Sequence, residues 1–272
     1  MYRLGILATL LHLLTAAPTA ASLQQSSVFH PESFDVGGVR RNALVYPGSG
    51  TRSQAGAAAV FVFHGHSGTA AVAAQRFRIH ELWPEAVVVY MQGIPGVPGI
   101  QDPEAKQTSW QKLSGQVGDR DVKFFDAALE RIQKKYRIDP SRIYVLGHSN
   151  GSRFVNVLWN MRGQKIAALC AACGSGEDLI ETASPNSVFV IAGRKDPLVP
   201  LAVQLQSIER IRKLLKTDQS KAREEGYARF EPGVSGTELV TYIHPDGHAL
   251  PLEALPMVIT FFQRHKNASA MR

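Results

Sequence analysis

The sequence predicts an α/β fold: a mostly parallel central sheet with helices on both faces. Three observations carry this. Short apolar, β-branched runs alternate with amphipathic stretches along the whole chain. These runs are continuous rather than alternating in polarity, as strands buried on both faces require. One of them, Arg142-Ile143-Tyr144-Val145-Leu146, leads directly into Gly147-His148-Ser149-Asn150-Gly151 and then a helix-compatible segment, the strand–turn–helix context of a nucleophile elbow.

Residues 1–21 read as a secretory signal peptide. Arg3 supplies the positive start, 4–14 an apolar core too short to span a bilayer comfortably, and Ala16-Ala17-Pro18-Thr19-Ala20-Ala21 a small-residue cleavage region. A secreted or periplasmic chain is therefore expected, with 22–272 as a single catalytic domain and no later membrane span. Such a length, about 250 residues, buries a core without staples. The net charge of +7 is spread along the chain and densest over 210–229, which reads as a solvated helix face, with attraction to an anionic surface or polymer as the alternative. No nucleic-acid-binding module stands behind it, and the sequence leaves the oligomeric state open. Cys170 and Cys173 form a C-x-x-C too poor in ligands for zinc; they are expected as two small buried side chains at a strand end, with a disulfide left open.

The elements follow in order. Strands are expected over 42–46 and 58–63, a helix over 70–80, and a strand over 86–91. A Gly- and Pro-rich loop over 93–118 is too long for a connector and is a candidate wall for a binding site. A strong helix over 119–136 has Asp119 or Asp121 as N-cap and Val122, Phe125, Ala128, Leu129 and Ile132 on one side. After the elbow strand and the helix over 152–161 come strands over 166–170 and 188–192, a basic amphipathic helix over 201–215, a last strand over 238–243 and a closing helix over 255–265. The order is that of an α/β-hydrolase.

A serine hydroxyl is a weak nucleophile that needs a base, and the base needs an acid to fix its tautomer. In this fold the chain order is serine, acid, histidine. Ser149 is the candidate nucleophile, Asp196 in Gly193-Arg194-Lys195-Asp196-Pro197 the acid, and His248 the base, with His244 its competitor in the same loop. The backbone N–H groups of Asn150 and His66 are the candidate oxyanion donors. His64 is read as holding its turn. His148 either packs under the nucleophile or faces the cleft, and Trp110 either stacks on a substrate ring or plugs the long loop. The chemistry requires no metal or organic cofactor.

The succession His64-Gly65-His66-Ser67-Gly68, Trp110, Asp119 to Phe125, Asp139-Pro140-Ser141-Arg142-Ile143-Tyr144-Val145, Gly147-His148-Ser149-Asn150-Gly151, Asp196 and Asp246-Gly247-His248 resembles the polyhydroxybutyrate depolymerase and feruloyl esterase group of secreted α/β-hydrolases. The resemblance runs from about residue 34 to 264. It implies a Ser149, Asp196, His248 triad, a substrate cleft near Trp110, and an ester substrate, small or polymeric, of hydroxybutyrate, feruloyl or acetyl type. The chain departs from the group in having His66-Ser67-Gly68 where a cysteine and glycines are usual, and Ala249-Leu250 where a tryptophan follows the histidine. A peptidase or amidase of the same fold is the alternative if 201–229 forms a lid. A non-catalytic exported binding protein would predict a spoiled triad.

Overall fold

The computed structural model describes residues 29–180, 183–267 and 270; the expected signal peptide lies outside the described residues. The described chain enters through a hairpin of β1 (His30–Val36) and β2 (Val39–Tyr46). Its two-residue turn places Gly37 and Gly38 at φ 62° and 79°, the double left-handed turn that matches strand twist. Then follow β3 (Ala57–Phe63), α1 (Ala70–Phe77), α2 (Ile79–Leu82), β4 (Val87–Met91), α3 (Arg120–Lys135), β5 (Ile138–His148), α4 (Asn150–Arg162), β6 (Ala168–Ala172), α5 (Glu177–Ile180), β7 (Ser187–Gly193), α6 (Leu201–Leu215), β8 (Arg223–Glu225), β9 (Ala228–Pro232), β10 (Glu238–His244) and α7 (Leu255–Arg264).

The sheet has ten strands in the order β1-β2-β4-β3-β5-β6-β7-β10-β9-β8. From β4 to β10 each neighbour is parallel; β1–β2 and β9–β8 add antiparallel edges. Alternate residues of the same strands feed two cores. Phe61, Val89, Val145 and Leu169 pack under α3, α4 and α6, whereas Val60, Val88, Leu146 and Cys170 pack under α1 and α7. The expected α/β architecture is thus present, and the serine, the H-G turn and the acid all lie at the carboxyl ends of parallel strands, where open α/β sheets bind ligands.

Three local expectations are refined or corrected. The helix expected over 70–80 breaks at Arg78, which takes φ 50° and splits α1 from α2. Asp119 holds the N-cap position of α3, but its side chain makes no capping hydrogen bond: it sits at φ 56° and turns its carboxylate back onto Gly115 N–H and the Gln111 amide. Asp121 instead lies buried in the first turn, ion-paired with Arg41 at 2.8 Å and accepting from Gln111 N–H at 2.8 Å. The basic stretch 201–229 is no lid. Ile208, Ile211 and Leu215 of α6 are buried in the core, and the Arg212 and Arg229 guanidiniums converge on the buried Glu231 carboxylate, so much of the apparent charge is compensated internally.

Candidate active site

Ser149 occupies the turn between β5 and α4 with φ 58° and ψ −120°, a strained conformation for a residue with a side chain. The turn closes only because its flanks are glycine. A Cβ on Gly147 would lie 2.1 Å from the Gly151 carbonyl oxygen, and one on Gly151 would lie 2.3 Å from that of Phe63. The Ser149 N–H donates to Ala172 O at the end of β6 at 2.8 Å, anchoring the turn to the neighbouring strand.

Two loops at the same sheet end complete the constellation. Asp196 follows β7, and His248 follows β10, the strand that pairs with β7. His248 Nε2 lies 2.7 Å from Ser149 Oγ, and His248 Nδ1 lies 2.8 Å from Asp196 Oδ2. The Asp196 side chain is fully buried; its Oδ1 accepts the N–H groups of Leu198 and Val199, both at 2.9 Å, and Oδ2 also accepts from Gln204 Nε2 at 3.2 Å. The three side chains named from the sequence are therefore brought into one hydrogen-bonded chain. His244 is not part of it: it is buried at the end of β10, and neither ring nitrogen has a hydrogen-bond partner among the described residues.

A cavity of about 540 Å³ opens over the serine, bordered by His66, His148, Ser149, Asn150 and His248. Its far wall includes Gly99, Ile100 and Gln101 of the long loop, so that loop does form a side of the cleft. His148 faces this space with its ring 5.1 Å from that of His248. Burial, with the nearby His248 and Arg76 charges, pulls its pKa down to about 3, which keeps it neutral beside the base.

His64 holds the turn after β3. Its Nδ1–H donates to Gly65 O at 2.7 Å and Nε2 accepts from Gly93 N–H at 2.9 Å. Burial lowers its pKa to about 4, so this neutral tautomer is the native one. His66 borders the cavity, and its ring Nε2 meets Asp102 Oδ2 of the long loop at 3.1 Å. Of the alternatives for Trp110, the structure selects the plug. The ring is fully buried, stacked on Phe154 and edge-on to Phe63, with Nε1–H donating to His64 O at 2.9 Å. Its expected contact with substrate is thereby corrected: the aromatic plug fixes the H-G turn from beneath and lies outside the cavity wall.

Both cysteines are free and buried. Burial raises both thiol pKa values, that of Cys173 to about 12, which removes thiolate chemistry near neutral pH. Cys173, Asp196 and His248 place potential metal-ligand atoms within 4.8 Å of one another, but Asp196 and His248 are already committed to the hydrogen-bonded chain. Sequence reasoning missed Gln204, a buried polar residue on an amphipathic helix, and the Asp102–His66 pair, for which the spacing gives no signal.

No family model matches the chain, and no curated protein is significantly similar to it in sequence. Solved structures are similar. An acetyl xylan esterase from Aspergillus awamori superposes with a TM-score of 0.65 at 12% identity, over 86% of this chain and 99% of that one. A ferulic acid esterase gives 0.60 at 14% identity, over 87% and 97%. A thermostable esterase gives 0.62 at 16% identity over 88% of this chain, which spans 63% of that chain's length. At these identities the similarity establishes architecture: the chain has the α/β-hydrolase fold.

Proposed function

We propose that the protein is a serine carboxylic-ester hydrolase that works through an acyl-enzyme. The observation that carries this reading is the unbroken path from Ser149 Oγ to His248 Nε2, at 2.7 Å, and from His248 Nδ1 to Asp196 Oδ2, at 2.8 Å. Ser149 loses its proton to His248 as Oγ attacks the ester carbonyl; Asp196 holds the imidazole in the tautomer that can accept at Nε2 and stabilises the imidazolium that forms. The N–H groups of Asn150 and His66 receive the oxyanion. His248 then protonates the departing alcohol, activates water, and the acyl-enzyme is hydrolysed.

An intact triad argues against a non-catalytic binding role. The peptidase reading loses its motive, because α6 packs on the sheet, 223–229 falls largely in its edge strands, and none of 201–229 lines the cavity. The fold neighbours titled acetyl xylan esterase and ferulic acid esterase and the motif resemblance to polyhydroxybutyrate depolymerases support a polyester or polysaccharide-linked ester as substrate. Export through cleavage near residue 21 belongs to the same reading and is checked by N-terminal sequencing of protein recovered outside the cytoplasm. Steady-state hydrolysis of p-nitrophenyl acetate by the parent and Ser149→Ala tests the activity. A fall of about 10⁶-fold in kcat is the scale seen when a triad nucleophile is removed; equal rates would refute the assignment.

A further inference from the structure

The charge of the cavity wall is one-sided. Arg76, Lys112 and Arg153 line it, and no carboxylate does among the described residues. The three cations differ in how far they are compensated. Arg153 Nη2 donates to both carboxylate oxygens of Asp178, at 2.9 and 2.7 Å. Among the described residues the half-buried Lys112 ammonium donates to a neutral group, Pro98 O, and burial beside Arg153 lowers its pKa. Arg76, exposed on the last turn of α1, has no ion pair among the described residues.

Arg76 is also well placed. The next residue, Phe77, lies edge-on to His148 at 6.2 Å, and His148 lies 5.1 Å from the His248 ring. Its charge is felt at both His148 and Cys173. Uncompensated like charges around a concave, partly apolar space raise its potential and concentrate anions there; they add nothing to the stability of the fold. A guanidinium lining the same cavity as Ser149 and His248 offers two parallel donors to a carboxylate.

We propose that this cavity selects esters bearing a carboxylate a few atoms from the scissile carbonyl, bound by the Arg76 guanidinium with Lys112 as the second positive charge. The inference rests on the esterase reading above. It is a claim about specificity: Arg76 binds the substituent and takes no part in bond making or breaking.

The test compares monoethyl glutarate with ethyl 4-carbamoylbutanoate, its neutral near-isostere, by ethanol release, with p-nitrophenyl acetate as a reference for activity. The carboxylate ester is expected to be preferred about tenfold in kcat/KM, chiefly through KM, the scale of one charge-assisted pair. Arg76→Gln should remove most of the preference, leaving only the share of Lys112, Arg76→Lys should keep more of it, and high salt should shrink it. Lys123→Gln, which removes a positive charge from the exposed side of α3 outside the cavity, should leave the ratio at its parental value. Hydrolysis of p-nitrophenyl acetate with no preference for the carboxylate ester, or a preference undiminished by Arg76→Gln, overturns this inference alone. Failure to hydrolyse any of the three esters overturns the esterase reading as well.

Discussion

Asn150 and Trp110 grip each other through a closed pair of hydrogen bonds: Asn150 Oδ1 accepts Trp110 N–H at 2.7 Å, and Asn150 Nδ2 donates to Trp110 O at 3.1 Å. The residue after Ser149 thus uses its side chain to fasten the long loop, while its backbone N–H is left for the proposed oxyanion site. A side-chain amide is the one group that both donates and accepts in this plane.

Asn150→Ala should therefore cost stability and catalysis together. It strands two backbone groups of Trp110, at about 1–3 kcal/mol for each buried group left unsatisfied. Asn150→Asp should also be harmful, since a carboxylate cannot donate to Trp110 O. Thermal unfolding alongside kcat/KM checks both; a variant with parental melting temperature would contradict the clamp.

Gln204 touches the acid and not the substrate. Gln204→Leu removes the donation to Asp196 Oδ2 but leaves the Leu198 and Val199 amides in place. The expected result is a fall in kcat of about tenfold with little change in KM, the scale of one lost hydrogen bond to a charged group. A change confined to KM would show that Gln204 acts elsewhere.

Buried histidines set a pH window for stability. The folded pKa of His64 is about 4, against an ordinary value of 6.5. Below pH 6.5 the unfolded chain takes up a proton that the folded chain refuses, so this contribution is complete above 6.5 and is lost as the pH falls toward 4. Urea unfolding should show stability declining from about pH 6.5 downward, before most carboxylates titrate. His64→Gln should be less stable near neutrality yet show a shallower decline over that range. An unchanged slope would mean that His64 does not stay neutral in the fold.

The buried thiols should be silent in the native state. A disulfide-exchange reagent is expected to find no reactive thiol until the chain is unfolded, and then both Cys170 and Cys173. Prompt labelling of the native protein would contradict their burial.

Much of this architecture was legible from the residues, and the exceptions have physical causes. Strands buried on both faces, such as Ala57–Phe63 and Ser187–Gly193, announce themselves because only apolar side chains fit there. The elbow was legible because two glycines are sterically compelled. Edge strands escaped notice: His30–Val36, Arg223–Glu225 and Ala228–Pro232 carry polar residues that solvent tolerates. Arg78 breaks a helical pattern in the left-handed region without being glycine, so nothing in its type warned of the break. The triad was readable as an order along the chain. The aim of Asp196, set by two amides and Gln204, and the burial of Trp110 depend on contacts between distant segments, which periodicity does not encode.

The most direct test of the central claim is labelling of the purified protein with a fluorophosphonate, followed by mass spectrometry of its peptides. The account predicts one covalent adduct on Ser149, formed rapidly by the parent and suppressed in His248→Ala even though the serine remains. No adduct, an adduct on another serine, or labelling of Ser149 at the same rate without His248 would contradict it.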